Sequence, residues 1–136
     1  MDWSLSARRF LKRCRGALGQ LLSPHEVVGK RMKRWVLLRV PGLQIVVHKF
    51  LQSDPPYPHD HPWWNCTLVL RGSLVELRGR EEAVCYLSPG SFVARRATDC
   101  HRIIVDKPAW TLFITGPAFR DWGYYTPRGF KNWRLM

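Results

Sequence analysis

Two histidines separated by a single residue, His59 and His61, stand in a segment rich in proline and tryptophan. In an extended chain, alternate side chains point to the same side, so both imidazoles can reach neighbouring positions on one cation. Imidazole nitrogen binds Zn²⁺, for example, at about 2.0 to 2.1 Å. Further along the chain, His101 offers a third ligand of the same type. These residues predict a metal site, and the alternative at this point is a proline-rich surface loop that happens to contain two histidines.

The spacing around this pair resembles the first sequence motif of the cupin superfamily, G-x5-H-x-H-x3–4-E-x6-G. Its positions are occupied here, in order, by Ser53, His59, His61, Asn65 and Gly72. The intervals between these residues fit the motif throughout, although the first glycine and the glutamate are replaced. Agreement in spacing at this motif and at a second one is far more specific than two histidines alone.

A second stretch resembles the second cupin motif, G-x5-P-x-G-x2-H-x3-N. Its positions are occupied by Gly90, Arg96, Thr98, His101 and Val105. The two motifs, with the segment between them, cover residues 53–105. The resemblance implies an all-β fold, the cupin-type double-stranded β-helix, which is a small jelly-roll barrel.

The resemblance also implies that His59, His61 and His101 bind one divalent metal ion. The glutamate that usually completes the ligand set of cupins is Asn65 in this chain. An amide oxygen is neutral and is a weaker ligand than a carboxylate, so Asn65 is a candidate fourth ligand of reduced strength. Glu76, on the next predicted strand, is a less favoured candidate, because a glutamate on a strand more often faces solvent.

A site of three histidines without a carboxylate resembles that of the thiol dioxygenases of the cupin superfamily. It favours Fe²⁺ as the cofactor, with Mn²⁺, Ni²⁺ or Zn²⁺ as alternatives, and it leaves positions open for water, dioxygen or substrate. We therefore predict a small-molecule metalloenzyme of the non-haem, Fe(II)-dependent dioxygenase type. The alternative is a non-catalytic module that binds a metal or small molecule and docks to an anionic partner through a basic helix.

A ligand pocket beside the metal can be predicted from strand parity. Trp63 and Thr67 alternate with His59 and His61, so they share the same face. Arg95 is expected to lie on the face of His101, where its guanidinium could bind a carboxylate in a bidentate manner. These three substrate-binding candidates suit a small anionic or aromatic molecule. The alternative for Arg95 is an ordinary surface charge.

The elements that must position these residues are short apolar segments that begin after residue 34. Turn residues such as Pro41-Gly42 and Arg71-Gly72 separate them at intervals of about eight to twelve residues, which is typical of a β-sandwich or barrel. A second helical pattern of useful length is absent from the sequence, which argues against a parallel sheet with crossover helices. The predicted strands cover residues 35–40, 43–51, 67–70, 73–77, 83–87, 91–94, 101–105 and 110–115.

The N-terminal part of the chain is strongly basic. Residues 1–34 contain nine lysines or arginines and two acidic residues, which gives +7 of the formal net charge of +12. Apolar residues at helical spacing predict an amphipathic helix over residues 7–22. We therefore divide the chain into a basic helical extension, 1–33, and a single barrel, 34–136. Such a helix can bind nucleic acid or an anionic membrane, whereas the more common interpretation is a solvated face that keeps a tryptophan-rich chain soluble.

The C-terminal residues 119–136 are aromatic and interrupted by glycine, and we predict an irregular cover over one side of the barrel. The segment from Trp110 to Phe130 and the His-Asp-His-Pro-Trp sequence at His59 resemble a group of small, uncharacterised single-domain cupins of bacteria and phages.

Composition sets the remaining limits. A chain of 136 residues with 46% hydrophobic residues fits one folded domain and excludes a disordered polar chain. Apolar runs stay well short of the roughly 20 residues that a membrane-spanning helix needs. Four cysteines without a CxxC pair argue against a zinc ribbon or thioredoxin site and fit a reducing cytoplasm. We expect a homodimer formed through sheet edges, with residues 43–47 as a candidate edge.

Overall fold

The computed structural model describes residues 24–136, and the predicted helix at 7–22 lies outside the described residues. Within this range the chain forms eleven strands and one short 3-10 helix at Trp133–Leu135. The strands are β1 (Glu26–Val28), β2 (Met32–Val40), β3 (Leu43–Phe50), β4 (Asn65–Arg71), β5 (Leu74–Arg78), β6 (Ala83–Leu87), β7 (Phe92–Arg95), β8 (His101–Ile104), β9 (Ala109–Thr115), β10 (Gly123–Thr126) and β11 (Gly129–Asn132). All eight predicted strands are present, as β2 to β9, with ends that shift by a few residues. None of the helices in this range is long and apolar enough to cross a membrane.

The strands form two sheets and a separate hairpin, and all their pairings are antiparallel. The larger sheet has the order β1-β2-β3-β9-β4-β7, the smaller has the order β6-β5-β8, and β10 pairs with β11. A cluster of buried apolar residues contains members of both sheets, so the two sheets pack face to face. The cluster consists of Val69, Leu74, Leu87, Ile103 and Ala109.

Burial alternates along the inner strands, as the period of two in a β-strand requires. On β9, Thr111, Phe113 and Thr115 are buried while the residues between them are half-buried. Several inward positions on β4 and β9, including Thr67, are polar rather than aliphatic. The inner wall of the larger sheet therefore has an apolar part, which packs against the smaller sheet, and a polar part, whose side chains can form hydrogen bonds with a ligand.

The turn that closes the first sequence motif requires glycine. Gly72 connects β4 to β5 with a φ of +79°, in the left-handed region. A Cβ atom at this position would also lie 2.8 Å from the backbone oxygen of Pro108. Because no larger side chain fits, the resemblance at this position has a physical basis.

The barrel was predicted to start at residue 34, but the larger sheet begins earlier, at Glu26. Strand β1 pairs with β2 from Glu26↔Arg34 to Val28↔Met32. The range 1–33 is therefore not helical throughout, because residues 26–33 add an edge strand and the beginning of β2. The sequence did not reveal β1 because the strand is short and only a short turn, with Gly29 and Lys30, separates it from β2.

The C-terminal cover is a hairpin and not an irregular segment. Strands β10 and β11 pair over four residues, with Gly129 in the turn at a φ of +109°. The side chain of Thr126 accepts a hydrogen bond from Arg128 N and donates one to Gly129 O, which stabilises the turn. The prediction of an irregular cover was wrong because this local turn chemistry was not recognised.

Residues 43–47 do not offer a free sheet edge. Strand β3 pairs with β2 on one side and with β9 on the other. Within the described chain, the outer strands of the two sheets are β1, β7, β6 and β8. Any dimer formed through sheet edges would have to use one of these strands.

Candidate metal centre

Three histidine side chains converge at the inner wall of the barrel. One ligand atom each from His59, His61 and His101 lies within 4.8 Å of the other two. Each pair of ring centroids is 5.0 Å apart. His61 and His101 are 8% and 6% exposed, and His59 is only slightly more accessible. This is the arrangement that the spacing of the two motifs predicted.

Backbone pairing holds the three rings in place. His59 and His101 form an isolated antiparallel bridge, with N–O distances of 2.8 and 3.0 Å. The backbone N–H of His61 donates to Ala97 O at 3.0 Å. The His-x-His segment is therefore bound to the two ends of the loop that leads into β8. Alternation then places both of its imidazoles on the side of His101.

The electrostatics of the site favour neutral imidazoles. Burial lowers the pKa of His59 to about 4, and burial lowers that of His61 well below the usual value. A metal ligand must carry a free lone pair, so rings that remain unprotonated at neutral pH are ready to bind. The Nδ1 atoms of both residues are buried and find no hydrogen-bond partner among residues 24–136. Three converging imidazoles, of which His59 and His61 are kept neutral by burial, fit a divalent first-row metal ion.

Glu76 lies directly behind His101 and is fully buried. Its Oε1 atom accepts a hydrogen bond from Nδ1 of His101 at 2.6 Å and one from Nε of Arg95 at 2.5 Å, and Oε2 accepts one from Nε of Arg78 at 2.9 Å. Burial opposes its ionisation, yet the hydrogen bonds from His101 and Arg95 hold the pKa of Glu76 well below its usual range. An ionised carboxylate only accepts, so Nδ1 of His101 is the donor, and Nε2 is the nitrogen of this ring that is left for a metal ion.

Glu76 is thus neither a solvent-facing residue nor a member of the cluster of converging ligand atoms. It contacts Nδ1 of His101, and a carboxylate in this place orients the ring of a metal ligand. The expectation that Glu76 faces solvent was wrong. Its neighbours Val75 and Leu77 are apolar, so the sequence favoured their face of β5 as the buried one.

Arg95 is buried, as expected for a residue on the face of His101, but most of its donors are occupied. Nε donates to Glu76, and Nη1 donates to Asn65 Oδ1 at 3.1 Å and to Thr67 Oγ1 at 2.8 Å. Only Nη2 is without a partner among the described residues. Arg95 lines the cavity and can therefore offer the amino group of this one nitrogen to a ligand, not the bidentate clamp that the sequence suggested.

Asn65 occupies the position of the cupin glutamate but does not line the cavity. It is fully buried, pairs with Arg95 across β4 and β7, and uses its oxygen to accept the hydrogen bond from that arginine. Its role in this structure is to position Arg95. The assignment of Asn65 as a fourth ligand gains no support from this geometry.

The cavity beside the three histidines has a volume of about 270 Å³. Trp63 and Thr67 line it, as predicted. The indole of Trp63 stacks on His61 with ring centroids 5.2 Å apart and meets the edge of Phe113 at 5.6 Å. An aromatic wall therefore begins at the metal centre and continues into the barrel.

Asp60, the residue between the two histidines, anchors the C-terminal hairpin. Strand alternation turns it away from the cavity, and it is fully buried. Its carboxylate accepts hydrogen bonds from Gly123 N at 2.9 Å and Tyr125 Oη at 3.0 Å and pairs with Arg120 at 3.0 Å. This role of Asp60 was not predicted. Its place between two predicted metal ligands could have indicated a buried charge that needs partners.

The anchored segment brings two aromatic residues beside the three histidines. Tyr124 and Trp122 lie 5.8 and 6.2 Å from His59, measured between ring centroids. Trp122 in turn stacks on Trp133 of the 3-10 helix at 5.6 Å. Both Trp122 and Tyr124 line the cavity, so the C-terminal segment forms part of its wall.

Comparisons with known structures identify the architecture, whereas the chain matches no protein-family model and no curated protein sequence. The RmlC-like cupin from Shewanella frigidimarina is 19% identical, with a TM-score of 0.60 over 68% of this chain and 82% of that one. KdgF from Halomonas sp. is 22% identical, with a TM-score of 0.59 over 71% and 86%. The polyketide cyclase RemF from Streptomyces resistomycificus is 15% identical, with a TM-score of 0.57 over 64% and 66%.

These similarities confirm the fold that the two motifs implied. The chain has the double-stranded β-helix of the cupins, which is shared by uncharacterised bacterial proteins from Desulfitobacterium hafniense and Klebsiella pneumoniae. Identities of this size establish the fold alone. The grouping of three histidines inside that fold is compatible with metal binding.

Proposed function

We propose that this protein is a metal-dependent enzyme that acts on a small molecule inside the barrel. His59, His61 and His101 hold the ion, which we propose to be Fe²⁺ ahead of Mn²⁺, Ni²⁺ or Zn²⁺. The observation that carries the proposal is the convergence of three buried imidazoles within 4.8 Å of one another, at the wall of a cavity large enough for a small ligand.

The surroundings of the three rings support a site built for chemistry. A bound divalent ion would supply a Lewis-acid centre, and iron would in addition supply a centre for dioxygen. Glu76 holds His101 in one orientation and places a negative charge behind it. Trp122 and Tyr124 add aromatic surface to the cavity beside His59. The polyketide cyclase RemF has the same fold, so this barrel can contain an enzyme, although a fold by itself does not transfer an activity.

A dioxygenase-type reaction is the finer part of the proposal. It rests on the three-imidazole ligand set, which leaves the full charge of the ion uncompensated by its direct ligands and leaves positions open for a second reactant. The buried carboxylate of Glu76 offsets part of that charge through His101.

Elemental analysis of anaerobically purified protein tests the proposal. The wild type is expected to contain near-stoichiometric iron, and His59→Ala and His101→Ala are expected to lose it. His25→Ala is the matched control, because His25 is exposed and does not line the cavity. Circular dichroism of all four proteins checks that each one is folded.

A wild type that stays free of metal after ions are added would overturn the proposal, as would metal that remains in both cavity variants. Stoichiometric zinc, nickel or manganese would keep the three-histidine site but would overturn the iron-dependent, dioxygenase-type reaction.

A further inference from the structure

A row of polar side chains crosses the cavity wall away from the three histidines. In the larger sheet, Arg34 on β2 lies opposite His48 on β3, and His48 lies opposite Thr111 on β9. Residues that face each other across antiparallel strands have Cβ atoms about 4.5 to 5.5 Å apart, so the three side chains are neighbours. All three line the cavity.

These side chains present buried polar atoms to which the described part of the protein gives no partner. The atoms are Nε of Arg34, Nε2 of His48 and Oγ1 of Thr111. His48 is 5% exposed and Thr111 is fully buried. Buried polar groups in folded proteins are nearly always hydrogen-bonded, so three unpartnered groups in one row indicate a missing ligand.

The charges around this row are unbalanced in favour of the positive sign. Arg34 pairs with Glu26 through NH1 at 2.9 Å, but the same carboxylate also pairs with Arg39 at 2.7 Å. Elsewhere on the wall, the Arg31 guanidinium has the Asp54 carboxylate at 3.3 Å. One carboxylate is therefore shared by two guanidinium groups at the row, and an anion would restore the balance.

An aromatic path connects this row with the metal centre. The ring of His48 lies 4.7 Å from that of Phe113, and Phe113 meets Trp63, which stacks on His61. A molecule that reaches both ends of the cavity must pass along these rings. Its middle part is therefore apolar or aromatic.

We propose that Arg34, His48 and Thr111 form a second subsite that binds the anionic oxygen group, a carboxylate or a phosphate, of a small organic acid. This inference rests on the proposed function, because it assigns the class of molecule whose other end lies at the metal centre. Arg34 supplies the positive charge and an N–H donor. Thr111 and the imidazole of His48, which burial and then Arg34 keep neutral at physiological pH, supply uncharged hydrogen bonds.

Binding of benzoate and of inorganic phosphate, measured by isothermal titration calorimetry, tests the subsite and separates the two kinds of anion. Arg34→Gln is expected to weaken binding of the preferred anion about tenfold or more, because a charged hydrogen bond is lost. Thr111→Val, which keeps the shape of the side chain, is expected to weaken it about threefold to tenfold. Arg71→Gln is the matched control, because Arg71 is exposed and does not line the cavity. It should change the dissociation constant less than twofold.

The same titrations in a His101→Ala background distinguish the subsite from the metal centre. Weakening by Arg34→Gln in both backgrounds supports the proposal, whether or not the protein contains metal. Binding that depends on His101 but not on Arg34 or Thr111 overturns the subsite and leaves the proposed function intact. Absence of saturable binding in the wild type, or equal losses in Arg34→Gln and Arg71→Gln, also overturns it. If Arg34→Gln does not fold, Thr111→Val decides alone.

Discussion

At the scale of single residues, the carboxylate of Glu76 determines which nitrogen of His101 faces the cavity. It is surrounded by Arg78, Arg95 and His101 and has no exposure to solvent. Such a buried charge is stable only while its partners are present. Removing it would leave Arg95 with an uncompensated buried charge and would free the ring of His101 to rotate.

Glu76→Gln is therefore expected to weaken metal binding about 10- to 100-fold. It should also lower the free energy of unfolding by about 3 kcal/mol or more, since a buried ion pair loses one member. Chelator competition measures the metal affinity, and urea denaturation measures the stability. The exposed Glu81 provides the control variant Glu81→Gln. An unchanged metal affinity in Glu76→Gln would contradict the orienting role.

The residues of the site differ in how far the sequence reveals them. The three histidines follow from local spacing and from the resemblance of two motifs. Glu76 does not, because both faces of β5 carry apolar residues and a shift of one residue exchanges them. Arg34, His48 and Thr111 meet only through the register of β2, β3 and β9, and β9 is distant in sequence from the other two strands. No local pattern encodes that register.

At the scale of elements, the hairpin β10–β11 and the His-x-His segment form one connected unit. Asp60 joins them through Gly123, Tyr125 and Arg120, and the backbone N–H of Tyr125 donates to Pro58 O at 2.8 Å. The ligand segment and the cover are therefore held by the same buried carboxylate, so a disturbance of one should reach the other.

Asp60→Asn should loosen this connection. The amide keeps one acceptor for Gly123 N but removes the charge that Arg120 needs, so we expect a loss of about 2 kcal/mol or more in stability. Hydrogen exchange is expected to accelerate at the amides of residues 123–132. Asp121→Asn serves as the comparison, because Asp121 is exposed and pairs only at the surface with Arg134 and Asn132. Equal exchange rates in the two variants would refute the anchoring role.

The elements themselves were largely predictable. Alternating apolar residues between glycine- or proline-containing turns are sufficient to indicate β2 to β9. Strand β1 is too short to produce an alternation, and it exists because β2 extends beside it. The last hairpin contains aromatic residues on both faces, so its period of two is concealed, and its tertiary contacts with Asp60 and Pro58 stabilise it.

At the scale of the whole molecule, stability depends on histidines that stay neutral when buried. Burial lowers the pKa of His48 to about 3 and that of His59 to about 4, from an ordinary value of 6.5. In the unfolded chain both rings take up protons below about pH 6.5, whereas the folded protein resists protonation until about pH 4 or lower. The unfolded state thus binds more protons in this interval, so stability falls as the pH decreases.

The free energy of unfolding of the metal-free protein should therefore decrease between about pH 6.5 and about pH 4.5. Each of these histidines contributes at most about 1.4 kcal/mol per pH unit. His48→Gln removes one titrating ring and is expected to give a shallower slope in urea denaturation over this range. His25→Gln, a change at the surface, is the control. Identical slopes in the wild type and His48→Gln would contradict the assignment of His48 as a buried neutral ring.

The basic N-terminal segment adds a further feature at this scale. Residues 1–34 carry more than half of the net charge, and the interaction of the predicted helix at 7–22 with nucleic acid or an anionic membrane stays a prediction. Of this range, the described residues 24–34 contribute β1, the start of β2 and the Arg31 and Arg34 side chains at the cavity. Part of the basic character of the chain therefore belongs to the barrel and the wall of its cavity.

The positions of two indole rings have an optical consequence. Trp63 stacks on His61 with ring centroids 5.2 Å apart, and Trp122 lies 6.2 Å from His59. A paramagnetic ion held by these histidines would quench the emission of both chromophores at such short range, whereas a closed-shell ion such as Zn²⁺ would not do so by this route. Occupancy of the centre, and the electronic class of the ion in it, can therefore be followed by the intrinsic fluorescence of the unlabelled protein.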